Sequence, residues 1–167
     1  MRTGSRTSRG FTLIEMMIAI TLMAILMAIA VPSFKDASLG SQLRSMANEL
    51  VASAALARSE AIKRNAVVTL CVSSNGQTCG AGDWDQGWIV SQGGTVIQHQ
   101  SAAATGFNIT ESGGLDGLRF QPIGAGSTPA TFTVCRAAPS IGAHERVVTI
   151  TTTGRASVKA TSSATCP

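Results

Sequence analysis

The chain has 167 residues, 44% of them apolar and only 13% charged. An ordinary soluble domain carries roughly 25% charged residues, so this composition argues for membrane or assembly contacts rather than a freely soluble globule. The net charge of +4 overstates bulk attraction to nucleic acid, since Arg2, Arg6 and Arg9 supply three of the four charges and from residue 66 onward five bases balance five acids. All five of those bases follow Leu118, which leaves room for a local basic patch.

Residues 1–10 are basic and polar and cannot form a core. The next 21 residues, 11–31, are apolar except for Thr12, Glu15 and Thr21. About 20 apolar residues cross a bilayer as a helix, and the positive leader keeps that end cytoplasmic. A secretory signal peptide would have a shorter apolar region followed by a small-residue cleavage site. Val31-Pro32-Ser33-Phe34-Lys35 is a poor site of that kind, so the run is read as retained.

Pro32 lacks an N–H and is expected to kink the helix. The helical pattern nevertheless continues: Leu39, Leu43, Met46, Ala47, Leu50, Ala54, Ala57 and Ala61 recur at spacings of three and four. Gln42, Arg44, Asn48, Glu49, Ser59, Glu60 and Lys63 mark the opposite face, and Glu60 and Arg64 form a favourable i, i+4 pair. One helix over 11–64 would be about 80 Å long. Its first half suits lipid, and its second half suits packing on a partner, most simply the rest of the chain.

Past Asn65 the pattern changes to short runs rich in Val, Ile and Thr, punctuated by Gly, Pro, Ser and Asn. Strands are expected over 66–72, 87–91, 95–100, 107–110, 118–121, 131–136, 146–152 and 156–159. Gln92-Gly93-Gly94 is a hairpin signal, and 122–129 is a loop. The fold class is α+β: a long N-terminal helix packed on an antiparallel β-sheet or sandwich. The expected boundaries are a leader (1–10), a transmembrane helix (11–32), its amphipathic continuation (33–65) and a β-rich head (66–167).

Cys71, Cys79, Cys135 and Cys166 form an even set. In an extracytoplasmic setting this suggests two disulfides, with three connectivities open. No close Cys-x-x-Cys pair points to zinc. Asp83 and Asp85 lack the further ligands of a calcium loop. His99 and His144 lie far apart with no nucleophile motif beside them, so no enzyme activity, cofactor or metal is expected. Trp84 and Trp88 bracket an acidic turn: the reading is Trp88 in the core and Trp84 capping the hairpin.

Gly10-Phe11-Thr12-Leu13-Ile14-Glu15 resembles the class III signal of type IV prepilins and type II secretion pseudopilins. The resemblance implies cleavage after Gly10 by prepilin peptidase, N-methylation of Phe11, and pairing of Glu15 with the Phe11 ammonium of a neighbouring subunit. Pro32 falls where pilins often carry a helix-kinking proline. Leu70-Cys71, the Asn75-Gly76 turn, Cys79, Asp83-Trp84-Asp85-Gln86-Gly87-Trp88-Ile89-Val90 and Thr153-Gly154-Arg155 are similar to the GspH/FimT group of minor pilins and pseudopilins. That likeness covers essentially the whole chain, more loosely over 101–130; major pilins match the head less well.

The resemblance implies disulfides Cys71–Cys79 and Cys135–Cys166. It implies as partners other major and minor pilins or pseudopilins, prepilin peptidase, the inner-membrane assembly platform and membrane lipid. The implied location is the bacterial inner membrane, with a periplasmic head, and then a pilus or pseudopilus. A type IV pilus is favoured, with type II secretion as the alternative and a pilus-associated DNA receptor for natural transformation as the second. DNA-binding members carry Gly-Arg-x-Arg where this chain has Gly154-Arg155-Ala156-Ser157, so a DNA role would fall on Arg155 and Lys159, which share a strand face, with Arg136 and Arg146.

Overall fold

The computed structural model describes residues 11–124, 126–137, 145–161 and 166. The chain divides into two compact units, Met1–Ser38 and Leu39–Pro167, and helix α1 (Leu13–Arg64) runs through both. The leader, Gly10 and His144 lie outside the described residues.

In the first unit every residue from 11 to 38 is exposed. The segment is long and apolar enough to cross a membrane. Thr21 turns its hydroxyl back onto the carbonyls of Met17 and Ile18, at 3.0 and 2.8 Å, which satisfies the hydroxyl without an outside partner. Pro32 lies inside α1 and offers no N–H to the carbonyl of Ala28, one turn back.

In the second unit Leu43, Ala47, Leu50, Ala54, Ala57 and Ala61 are all fully buried, with Leu39 and Met46 packed beside them. This is the stripe expected from spacing. Ser53 joins it and is equally buried. The helix ends in a Schellman motif: Asn65 takes a left-handed φ of 49°, its N–H reaches Ile62 O, and Ala66 N–H reaches Ala61 O.

Eight strands follow among the described residues: β1 (Val68–Val72), β2 (Trp88–Gln92), β3 (Thr95–Gln100), β4 (Phe107–Glu111), β5 (Gly117–Phe120), β6 (Ala130–Arg136), β7 (Glu145–Ile150) and β8 (Ala156–Thr161). They form two four-stranded antiparallel sheets, ordered β3-β2-β1-β5 and β4-β6-β7-β8. Leu70, Val90, Leu118 and Phe120 of the first sheet and Ile109, Phe132, Val134, Val148 and Ile150 of the second meet the helix stripe in one core. Gly93 and Gly94, both at positive φ, make the two-residue turn between β2 and β3.

The first sheet is covered on both faces. Cys71, Ile89 and Ser91 point away from the helix yet are nearly inaccessible. The connection after β1 folds back over them, held by the Cys71–Cys79 disulfide and by Gly80 N–H on Val72 O at 2.9 Å. Asn75 Oδ1 accepts the N–H groups of Gln77 and Thr78, at 2.9 and 3.0 Å, which shapes the turn. Gly76 lies directly against the His99 ring of β3, leaving no room for a Cβ.

Candidate functional site

The candidate site at the helix start is built from three residues. Phe11 is 83% exposed and lies outside α1. Thr12 and Glu15 close on each other. The Thr12 N–H and hydroxyl both donate to Glu15 Oε2, each at 2.8 Å, while the Glu15 N–H reaches Thr12 Oγ1 at 3.3 Å. This is a reciprocal capping box, which satisfies N–H groups that a helix start otherwise leaves bare. Thr12 has no role in the sequence reading above, although Thr-x-x-Glu before an apolar run is the pattern that announces such a box.

In the head, Cys71 is bonded to Cys79 and Cys135 to Cys166, with Cα separations of 5.5 and 5.6 Å. Gly117 lies opposite Cys71 in the ladder, and a Cβ there would come within 3.2 Å of the Cys71 Cβ. Trp88 is buried, and its indole N–H donates to Ser53 Oγ of α1 at 2.9 Å. Trp84 was expected to cap the hairpin. It is buried instead, on a single 3-10 turn, Trp84–Gln86. Its N–H donates to Leu115 O at 2.8 Å and its ring meets Phe132 edge-on at 4.8 Å. Packing against the second sheet, not the hairpin, explains that position.

The four candidate DNA contacts do not form one face. Residues opposite each other in a ladder share a side of the sheet. Lys159 pairs with Val147, and Val147 with Thr133, on the outer side. Arg155, just before edge strand β8, is exposed. Arg146 pairs with Val134 and Ala160, and Arg136 with Phe107, on the side that holds the core. The Arg136 guanidinium lies 4.4 Å from the Phe107 ring centroid. The sheet therefore separates Lys159 from Arg136 and Arg146. Among the described residues no group of three His, Cys, Asp or Glu side chains could hold a metal ion.

A long helix whose exposed apolar first stretch carries one carboxylate, followed by a two-sheet, disulfide-bonded head, defines the pilin class of filament subunit. The sequence model of the family described as type II transport protein GspH matches residues 46–154, and that of the prokaryotic N-terminal methylation motif matches 5–31. The chain belongs to the GspH family and is a minor pilin or pseudopilin, a structural subunit of a type IV pilus or of a type II secretion pseudopilus. No curated protein sequence matches it. Among solved structures it is similar to the type IV minor pilin FimU of Pseudomonas aeruginosa, at 24% identity and a TM-score of 0.55, over 71% of this chain and 89% of that one. It is also similar to the minor pseudopilin EpsH of the Vibrio cholerae type 2 secretion system, at 14% identity and a TM-score of 0.52, over 71% and 97%. At these identities the two likenesses concern the fold.

Proposed function

We propose that the working subunit begins at Phe11, freed by prepilin peptidase and N-methylated, and that it serves as a minor pilin of a type IV pilus. Residues 11–32 anchor it in the inner membrane, 33–65 continue the helix, and the 66–167 head lies in the periplasm until assembly. Glu15 pairs with the Phe11 ammonium of a neighbouring subunit, which sets axial register and lets a subunit leave the bilayer. An assembly platform and other pilins are its partners, and it performs no catalysis.

One observation carries this reading: the helix from 13 to 34 is wholly exposed and is apolar but for Glu15, Thr21 and Ser33, and Glu15 is its sole charged side chain. A carboxylate in such a segment is costly, about 2.5–3.5 kcal/mol at the centre of a membrane helix, and functional by default. The disulfide-held head and the Gly154-Arg155 remnant favour the pilus over the secretion system.

The test compares tagged wild type with Glu15→Ala. The variant should insert and be processed normally but be absent from sheared filaments; normal incorporation would overturn the reading. Deleting the gene assigns the system, since loss of surface pili supports the pilus and loss of secreted protein with intact pili assigns the pseudopilus.

A further inference from the structure

The hydrogen bonds at the start of α1 bring a second side chain into the assembly chemistry, an inference that rests on the role given to Glu15 above. We propose that Thr12 is the positioning residue for the Glu15 carboxylate. Its N–H and hydroxyl both hold Oε2, and the same hydroxyl accepts the Glu15 N–H. The hydroxyl is thus donor and acceptor in one ring of contacts, which a methyl in its place could not be. With Oε2 held, Oε1 receives no hydrogen bond from any described residue and is left for the ammonium of another subunit.

Two physical consequences follow. In a subunit waiting in the bilayer, the box supplies donors to a carboxylate that lipid cannot solvate. It also restricts a side chain with several rotatable bonds before its partner arrives, so less freedom is lost when the intersubunit pair forms.

The experiment uses the full-length chain with Thr12→Val, Thr12→Ser and Glu15→Ala. Two quantities are measured: hydrogen exchange at the Glu15 amide of purified protein in micelles, and the ratio of subunit in sheared filaments to subunit in membranes. Thr12→Val should speed exchange at Glu15 and lower the filament ratio roughly fivefold, the scale of a lost helix cap. Thr12→Ser should restore both, which loss of bulk at residue 12 would not do. If Thr12→Val assembles like wild type while Glu15→Ala does not, the role of Thr12 is overturned and that of Glu15 stands. If Glu15→Ala also assembles, the underlying reading fails. Should Thr12→Val not reach the membrane, unchanged exchange at its Glu15 amide would still sink the proposal, because the box would then not depend on the hydroxyl.

Discussion

Trp88 of β2 donates its indole N–H to the hydroxyl of Ser53 on α1, at 2.9 Å, with both side chains buried. This bond fixes the register of the helix against the first sheet at one point, where apolar packing alone would tolerate sliding. Ser53→Ala should destabilise the chain by about 1–3 kcal/mol, because a buried donor is left without a partner. The gain in helix propensity from alanine is too small to offset that. Denaturant unfolding followed by tryptophan fluorescence checks it. Trp88→Phe in the Ser53→Ala background should cost less than in wild type, since the two groups act as a pair.

The helix was legible from its spacing, and the stripe from Leu39 to Ala61 needed nothing more. The strands were legible from composition and punctuation: Thr95–Gln100 shows no clean alternation and was marked by the Gly93-Gly94 turn before it. Ser53 was not legible, since a hydroxyl on an apolar stripe reads as a break until its partner is known. Burial of the first sheet on both sides left a trace in the unbroken apolar runs Leu70-Cys71-Val72 and Trp88-Ile89-Val90, which do not alternate as a half-exposed strand does. The division of Arg136 and Arg146 from Lys159 was beyond reach. Parity orders side chains within a strand, but the relation between strands depends on register.

Gly154 is the glycine whose replacement should be felt most in the second sheet. Its φ is 71°, and a Cβ would come 2.8 Å from Ser127 Oγ, 3.2 Å from Arg58 Cδ and 3.3 Å from Phe120 Cδ1. Left-handed backbone alone costs a residue with a Cβ roughly 1–2 kcal/mol, and the crowding adds to it. Gly154→Ala should therefore lower the urea midpoint clearly. Gly93→Ala, at φ 55° with open space around it, should cost only the backbone part. Equal costs would mean that contact with Arg58 and Ser127 contributes nothing.

Glu60 carries a pH dependence whose sign is set by its partners. The hydrogen bond from Arg64 holds its carboxyl below the usual carboxylate range, with the charge of Lys63 adding to the effect. A group depressed in the folded state stabilises the fold above its unfolded pKa and loses that contribution as pH falls through the folded one. Wild type should thus exceed Glu60→Gln in stability at neutral pH. The difference should shrink through the acid range and vanish once the carboxylate is protonated. High salt should shrink it too, because the pair is at the surface. Urea midpoints of both proteins from neutral to acid pH measure this, and a constant difference would contradict it.

The two disulfides should differ in what they contribute. Cys71–Cys79 closes a separation of 8 residues and Cys135–Cys166 one of 31. If cross-links act by restricting the unfolded chain, the longer loop contributes more, roughly 3.7 against 2.5 kcal/mol. Serine at 135 and 166 should then lower stability by about 1 kcal/mol more than serine at 71 and 79. One folded-state effect works against that ranking. The Cys71–Cys79 bond holds the turn that covers Ile89 and Ser91, so its loss also lets water onto an apolar face. Unfolding free energies of the two double-serine variants decide which effect is larger. Proteolysis adds an independent reading, since cleavage at 73–82 should appear in the Cys71/Cys79 variant alone if the turn is released. Should the short-loop variant prove the less stable of the two, covering the first sheet would outweigh chain entropy as the work of that bond.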